Sequence, residues 1–442
     1  METTNEKIRK ISDSLTLKAV IIGVLTLIML IPGALIQDLI RERQNRSTET
    51  IEKINSKWSN AQTINGPLLV IPYKKTITDD KKNIISENHT YTLTPEMLQI
   101  KSVLTPRERH YGIYKSILYE SDILISGNFR AIASKDIDGE PLWDKAYVLL
   151  GISDLRGISN NIKFEVNGQN FIAQTSGKND VNSQELIINL NTLTSLKMEK
   201  KADFQCKIKL KGSSNLNFVP IGRNTQVQVE GKWNAPGFIG NFSPDYTLNK
   251  NGFTAKWNIL HYNRNIPEFW IDDKIKDISD NTFGVRLVEA TDHYLLNMRS
   301  SKYSLMFIVL TFVVFFFVEV LTRKRIHPLQ YLLVGVALIL FYSLLLSLSE
   351  QLSFGFSYLI ASVSTIGLII AYAGGIFKNK TQTGILAVML TVLYIFLYVV
   401  LQLEDVALLI GSIGLFIILG IIMFLSHKIN WYQNDSKPEK VE

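Results

Sequence analysis

Cysteine and closely spaced histidines are scarce in this sequence of 442 residues. The single cysteine, Cys206, excludes an internal disulfide and a metal cluster built from several thiolates. None of the six histidines stands in an H-E-x-x-H motif or in a pair with the spacing that places zinc ligands on one helix face. The sequence therefore predicts no metal site.

The sequence also lacks the motifs of common enzymes and of nucleic-acid binding. It has no G-x-S-x-G nucleophile turn, no phosphate-binding loop ending in G-K-[ST], and no basic run with interleaved aromatics. Asp136, Asp138 and Glu140 share a turn with a glycine but lack the ligand spacing of an EF-hand, which favours a solvated turn. We therefore predict no catalytic residues, no cofactor and no nucleic-acid partner.

Charge is scarce in only one part of the chain. Residues 301–426 carry six basic and four acidic side chains, whereas residues 41–300 carry 34 basic and 29 acidic ones. The formal net charge of +7 conceals this division. The pattern predicts a membrane protein with one large water-exposed domain of ordinary soluble composition.

Six apolar segments are long enough to cross a bilayer as helices, which takes about 20 residues. They are residues 17–35, 305–321, 329–348, 354–377, 383–401 and 406–425. The first segment could be a cleaved signal peptide, because basic residues precede it. Its apolar stretch is longer than usual, however, and no small-x-small cleavage site follows before Arg41, so we favour an uncleaved signal anchor.

The short loops predict the orientation in the membrane. Basic residues occupy loops 323–325 and 378–380, whereas the opposite loops carry Glu350 and the acidic pair 404–405. Because Lys and Arg mark the cytoplasmic side, both termini are predicted to be cytoplasmic and the large domain periplasmic, across a bacterial inner membrane. The predicted domains are a cytoplasmic tail with the first span, a periplasmic domain, a five-helix transmembrane bundle and a cytoplasmic tail: residues 1–40, 41–300, 301–426 and 427–442.

The periplasmic domain has the pattern of a mostly antiparallel β-sandwich. Polar residues after Arg41 could extend the first helix into water, and an apolar run at 68–71 then ends at Pro72. Apolar and polar residues alternate in several later segments, which is typical of half-buried strands. Asn167-Gly168 between two such segments predicts a two-residue hairpin.

A weak internal repeat is present in this domain. Residues 123–129 and 227–233 share an alternating pattern with a glycine two positions before an aromatic residue, and 148–154 resembles 285–292. Two related β-units would explain both matches. The alternative is that alternating strands resemble one another by chance.

Glu319 is the most informative residue of the predicted membrane bundle. A carboxylate within an apolar span costs free energy, so it usually faces the bundle interior or a partner. One interpretation is a site for a proton or another cation. The other, which we favour, is a pair with Arg323, four residues further on near the cytoplasmic interface. His327-Pro328 is then predicted to begin the third span.

Trp233, Phe238 and Phe242 lie in a segment rich in glycine and proline, within residues 233–242. Exposed aromatic residues make good contact anchors, so this segment is a candidate loop for contacting a partner. The competing interpretation, which we favour, is a strand end and tight turn that fold the aromatic side chains into the β core.

The sequence resembles the CreD family of bacterial inner-membrane, cell-envelope integrity proteins. The most specific similarity runs from Asp292-His293-Tyr294 through Glu319 and residues 326–335 to Glu350. Weaker similarity includes Asp154-Leu155-Arg156-Gly157-Ile158 and other short stretches of the large domain: Gly66-Pro67, Gly222-Arg223-Asn224 and Trp233. The resemblance implies envelope maintenance in a Gram-negative bacterium, linked in the relatives to a two-component regulon and to tolerance of β-lactams and colicins. It implies no catalytic residues.

The leading functional prediction is a non-enzymatic membrane protein that supports envelope integrity and stress tolerance. Its β domain would contact a periplasmic protein, peptidoglycan or lipid. One alternative is a transporter of lipid or a small solute that uses Glu319. Another is a sensor that acts through a partner kinase, because the cytoplasmic segments leave no room for an output domain. A membrane-bound hydrolase has the least support.

Overall fold

The computed structural model describes residues 15–78, 84–132, 136–176, 185–191, 201–272, 281–287, 292–322, 326–403 and 406–427. The chain forms two compact units. The helical unit contains Met1–Arg46 and Thr291–Glu442, and the β-rich unit contains Ser47–Ala290.

Seven α-helices lie within the described residues. In chain order they are α1 Leu15–Trp58, α2 His293–Lys302, α3 Ser304–Thr322, α4 Pro328–Ser349, α5 Phe354–Phe377, α6 Lys380–Gln402 and α7 Ala407–Ser426. As the polar stretch after Arg41 suggested, α1 continues beyond its apolar part to Trp58. In the helical unit, two main clusters of buried apolar side chains join α3 to α4, α5 and α6.

Several of these helices are long and apolar enough to cross a membrane. Four described helices have the length and composition needed to span a membrane: Leu17–Trp58 within α1, and α4, α5 and α6. The pair α2 and α3 forms a fifth if its 45° bend lies within one span. The segment predicted as the sixth span contains a shorter apolar helix, Leu409–Phe424. The prediction of several apolar helices long enough to span a membrane is therefore confirmed, and the number six stays a prediction.

Eighteen strands lie within the described residues. The first nine in chain order are β1 Gln62–Thr78, β2 Ile84–Leu93, β3 Met97–Tyr111, β4 Tyr114–Phe129, β5 Glu140–Pro141, β6 Tyr147–Ile152, β7 Lys163–Val166, β8 Gln169–Ile172 and β9 Gln174–Thr175. The others are β10 Glu185–Asn189, β11 Ala202–Ser213, β12 Asn215–Phe218, β13 Asn224–Gly231, β14 Pro236–Gly240, β15 Asp245–Asn249, β16 Gly252–Leu260, β17 Phe269–Ile271 and β18 Phe283–Leu287.

The strands form two sheets around a common core. The first sheet has the order β14-β18-β12-β1-β6-β10-β9. In addition, β2 and β5 pair with β1, and β17 pairs with β2. The second has the order β15-β16-β13-β3-β4-β11-β7-β8. Most neighbours are antiparallel, but β1 pairs with β12 and β3 with β13 in parallel, so both sheets are mixed. One cluster of buried apolar residues draws on both sheets, as in a sandwich.

Local turn chemistry sets parts of this topology. The predicted hairpin at Asn167-Gly168 is confirmed, because these two residues join β7 to β8 with φ angles of 48° and 83°. Pro72 ends the apolar run but not the strand, since β1 continues to Thr78. The pairing of β1 with β6 ends at Val70 and that with β5 begins at Tyr73, so Pro72 lies between two ladders where no N–H is needed.

In each matched pair of the weak repeat, both segments lie in the same sheet. Residues 123–129 lie in β4, and 227–231 form the end of β13; both strands flank β3 in the second sheet. The other pair lies in β6 and β18 of the first sheet. Duplication of a β-unit stays a prediction.

Candidate functional site

A buried carboxylate lies among three helices of the helical unit. Glu319, in the last turn of α3, is 3% exposed. Its Oε1 accepts hydrogen bonds from Lys18 Nζ on α1 at 2.7 Å and from the backbone N–H of Ile326 at 3.2 Å. Its Oε2 accepts from the Tyr331 hydroxyl on α4 at 2.9 Å. A buried charge is costly unless it is paired and hydrogen-bonded, and here each carboxylate oxygen has a donor.

The local sequence brings these groups together. Lys18 lies near the beginning of α1, and Tyr331 lies one turn into α4. The rings of Phe312 and Phe315 on α3 pack edge-on against Tyr331, with centroid separations of 5.7 and 6.1 Å. This packing fixes the ring whose hydroxyl donates to Glu319, so the cluster connects α1, α3 and α4.

Lys18 is the partner that sequence reasoning missed. Arg323 lies outside the described residues, so its pairing with Glu319 stays a prediction. The rule used for Arg323 applies to neighbours on one helix, whereas Lys18 is 301 residues away. The sequence did contain one indication of this pair: one apolar segment carries a single lysine, and another carries a single glutamate of opposite charge. Because the carboxylate is held by Lys18 and two further donors, a transported cation would have to displace the lysine.

His327 serves to begin α4, as the sequence predicted. Its Nδ1 accepts a hydrogen bond from the backbone N–H of Leu329 at 3.2 Å, and the side chain of Gln330 accepts one from the N–H of His327 at 3.0 Å. Pro328 occupies the first helical position, where its missing N–H costs nothing. The imidazole itself is exposed.

Glu350 lies at the opposite end of α4. Its Oε1 accepts a hydrogen bond from the Tyr294 hydroxyl on α2 at 3.3 Å. Beside it, Asn297 Nδ2 donates to Ser349 Oγ at 2.7 Å, and both side chains are buried. These bonds fasten α2 to the end of α4, which indicates a structural role for Glu350.

A second polar cluster lies in the β-rich unit, in the segment Asp154-Leu155-Arg156-Gly157-Ile158. The Asp154 carboxylate is buried and accepts from the guanidinium of Arg156, at 2.8 and 2.7 Å, and from the backbone N–H of Asn60 at 3.0 Å. These donors lower the pKa of Asp154 from 3.8 to about 2. Arg156 also donates to the Ser56 carbonyl near the end of α1, at 2.8 Å. The cluster thereby anchors the end of α1 on the β-rich unit.

Trp58, the last residue of α1, is held between two cations. The guanidinium of Arg109 lies 5.2 Å and Lys211 Nζ 4.7 Å from the centre of its ring system. Cations over an indole face are attracted by the ring quadrupole. This contact adds to the anchoring by Asp154, and sequence reasoning found neither interaction because the partners are far apart along the chain.

The aromatic residues of segment 233–242 pack inward. Trp233, Phe238 and Phe242 are partly buried and contact the core of the sandwich. The Phe238 ring lies on β14 and packs edge-on against Trp257 at a centroid separation of 6.1 Å. The Phe242 ring packs edge-on against Phe283 at 5.7 Å. This packing supports the core interpretation over that of an exposed contact loop.

A shallow cleft of about 350 Å³ with several polar side chains at its rim lies in the second sheet beside that segment. It extends across the middle of β3, the end of β13 and the turn from β15 to β16. The side chains that can hydrogen-bond there are Thr105, Glu230, Lys232, Asn249, Asn251 and Thr254, and all except the half-buried Thr254 are exposed. Phe253 contributes an aromatic ring to its floor. Amide, carboxylate and ammonium groups around an aromatic floor are suited to a ligand rich in hydroxyl or amide groups.

Several other reactive groups among the described residues are paired or buried. No group of three or more His, Cys, Asp or Glu in the described ranges is arranged to hold a metal ion. Asp136 pairs with Arg130 at 3.0 Å, and Asp138 pairs with Lys75 at 2.6 Å. Burial raises the pKa of the Cys206 thiol to about 12, so it stays protonated at neutral pH.

Comparison with known proteins gives the family. The family model described as "Inner membrane protein CreD" matches residues 14–432. The inner membrane protein CreD of Escherichia coli (strain K12) is 30% identical over 414 residues, which cover 92% of this chain and 91% of that protein. The resemblance read from the residues is confirmed. The chain belongs to the CreD family of inner membrane proteins.

Proposed function

We propose that this chain crosses the inner membrane six times and presents its β-rich unit to the periplasm. Three observations support the orientation. Basic residues occupy loops 323–325 and 378–380, and acidic residues occupy the alternate loops. The carboxylate of Glu319 and its partner Lys18 lie at the helix ends next to the basic loop, where a charged pair costs less than at the bilayer centre.

In this role the protein supports cell-envelope integrity, including tolerance of envelope stress and β-lactams, without catalysing a reaction. Its β-rich unit contacts a component of the envelope. The observation that carries the proposal is the shallow cleft whose lining includes Glu230, Lys232, Asn249 and Asn251. The favoured component is peptidoglycan, because its sugars and peptides offer hydroxyl, amide and carboxylate groups that match these side chains.

A deletion strain tests the cellular role. Survival under detergent and β-lactam challenge is expected to fall and to recover when the intact gene is restored. The double variant Asn249→Ala/Asn251→Ala is expected to restore survival incompletely. Asn170→Ala provides the matched control, because Asn170 is an exposed asparagine on β8, outside the cleft. Unchanged survival of the deletion strain contradicts the envelope role.

Co-sedimentation tests the partner separately. Full-length protein in detergent is mixed with purified peptidoglycan, and the bound fraction is measured after centrifugation. The wild type and Asn170→Ala are expected to sediment with the polymer, whereas the cleft variant stays in the supernatant. If the wild type and both variants sediment equally, or if none of them sediments, the assignment of peptidoglycan to the cleft is contradicted.

Transport through Glu319 has less support. Lys18, Tyr331 and the N–H of Ile326 already occupy the carboxylate. Full complementation by Glu319→Gln would agree with a structural role. A loss of complementation by a folded Glu319→Gln protein would favour transport instead. Signalling through a partner kinase predicts co-purification of that kinase with the full-length protein.

A further inference from the structure

An apolar cavity of about 150 Å³ lies between helices of the helical unit. Its lining includes Tyr303 and Met306 beside α3, Phe396 and Val400 on α6, and Gly411 and Ser412 on α7. Tyr303 and Ser412 are the only lining residues with polar side-chain atoms. Met306 is 13 residues before Glu319, which is about 20 Å along a helix, so the cavity is distinct from the carboxylate cluster.

Backbone features create this space. The axes of α2 and α3 are bent by 45° at a break that contains Tyr303. A Cβ atom placed on Gly411 would meet no atom within 4 Å, so the missing side chain leaves room. At Gly414, by contrast, an added Cβ would collide with the ring of Phe396. One glycine of α7 therefore opens the cavity, and the other lets α7 approach α6.

Two basic residues lie within about one helical turn of Tyr303, which lines the cavity. Arg299 and Lys302 occupy the last turn of α2, and Arg299 precedes Tyr303 by four residues, about one helical turn. The described part of the chain provides no hydrogen-bond or ion-pair partner for either side chain. Glu404 and Asp405, in the loop between α6 and α7, lie outside the described residues. The two cations are complementary in charge to a phosphate group.

We propose that this cavity holds an acyl chain of an anionic glycerophospholipid, with the lipid phosphate against Arg299 and Lys302. The solvent around a membrane helix is acyl chain, so an apolar cavity between such helices takes up methylene groups. A zwitterionic lipid would gain less from the two cations, because its headgroup carries a positive charge of its own. This site is independent of the envelope role and of the cleft in the second sheet.

Native mass spectrometry of the full-length protein in detergent tests the site. The protein is incubated with phosphatidylglycerol or with phosphatidylcholine of the same acyl chains. Wild-type protein is expected to retain at least tenfold more phosphatidylglycerol. The double variant Arg299→Gln/Lys302→Gln is expected to retain both lipids equally. Equal retention of the two lipids by the wild type overturns the proposal.

Gly411→Leu tests the cavity itself. The new side chain fills the space, so retention of both lipids is expected to fall about tenfold. Gly420→Leu is the matched control and is expected to behave as wild type. Gly420 lies on the same helix outside the cavity, and an added Cβ there also meets no atom within 4 Å. Full retention by Gly411→Leu overturns the proposal.

Photocrosslinking of wild-type protein gives a result that does not depend on the folding of any variant. Phosphatidylglycerol with a photoreactive group in its acyl chain is expected to label the lining segments, within residues 396–400 or 411–415. Labelling confined to other helices, or retention of detergent alone, overturns the proposal.

Discussion

Three charged side chains are buried among the described residues, Asp154, Arg264 and Glu319, and each has hydrogen-bond partners in place of water. Glu319 has three donors, and Asp154 has a bidentate arginine and backbone N–H groups. Arg264 is 7% exposed and donates to the carbonyls of Gly222 and Ile266. Burial lowers the pKa of Arg264 to about 10, so it is still charged at neutral pH.

The pair Lys18–Glu319 provides a test at this scale. Lys18→Met leaves a buried carboxylate without its cation, which should destabilise the protein by about 3 kcal/mol. The double variant Lys18→Met/Glu319→Gln removes both charges and should recover most of that loss, since Gln can still accept from Tyr331. Thermal unfolding of the full-length protein in detergent measures the difference. A double variant no more stable than Lys18→Met contradicts the pairing.

Asp154 predicts a pH dependence of the β-rich unit. Its pKa is about 2 in the folded protein and ordinarily 3.8, so the carboxylate stabilises the fold at higher pH. This stabilisation is lost as the pH falls from about 4 to about 2. Asp154→Asn should destabilise the unit by about 2 kcal/mol at pH 7 and weaken the acid dependence.

Tryptophan fluorescence during urea unfolding of the full-length protein measures this effect. Five of the six tryptophans lie between residues 58 and 270, in the β-rich unit. Asp203→Asn is a suitable control, because Asp203 is exposed on β11. An Asp154→Asn protein with the wild-type acid dependence contradicts the assigned role of the carboxylate.

Among the elements, α4 shows how a local motif sets a boundary. His327 precedes Pro328 and forms reciprocal hydrogen bonds with the first turn. The next turn then places Tyr331 against Glu319. The beginning of a helix therefore decides which residue reaches the buried carboxylate.

His327→Ala should remove the side-chain acceptor at this boundary and destabilise the helical unit by about 1 kcal/mol. His327→Asn should retain most of the stability, because asparagine is also a good N-terminal cap. The melting temperature in detergent distinguishes the two variants. Equal loss in both would show that the imidazole does more than cap the helix.

β14 gives a test of the aromatic segment. Phe238 contacts the rings of Tyr246, Phe253 and Trp257, so Phe238→Ala should destabilise the β-rich unit by about 3 kcal/mol. Tyr262→Ala should have little effect, because Tyr262 is 83% exposed. Urea unfolding followed by tryptophan fluorescence measures both. A Phe238→Ala protein as stable as the wild type would favour the interpretation of an exposed contact loop.

For the whole molecule, orientation is the property that the proposed function most depends on. The only cysteine, Cys206, is buried and protonated at neutral pH, so Cys206→Ser gives a background for single reporter cysteines. Asn379→Cys should react with a membrane-impermeant maleimide only after the membrane is opened. Gln351→Cys should react from the periplasm. The reverse pattern contradicts the orientation derived from the loops.

The parts of the fold that the sequence predicted depend on neighbours along the chain. Asn167-Gly168 formed its hairpin, and His327-Pro328 began its helix, because turns and caps are set within a few residues. The apolar segments formed helices for the same reason. The sequence did not predict that β1 continues through Pro72, because whether a strand tolerates proline depends on which strands lie beside it.

The sequence by itself determined that this is a membrane protein with a large β domain, because charge density and residue periodicity are properties of the chain. Only the tertiary structure decided which distant residues meet. It brought Lys18 to Glu319 and Arg156 to the end of α1, and it placed two pairs of strands in parallel. The physical reason is that a buried charge or a strand edge takes whichever partner the packing brings near, however far apart the two lie in sequence.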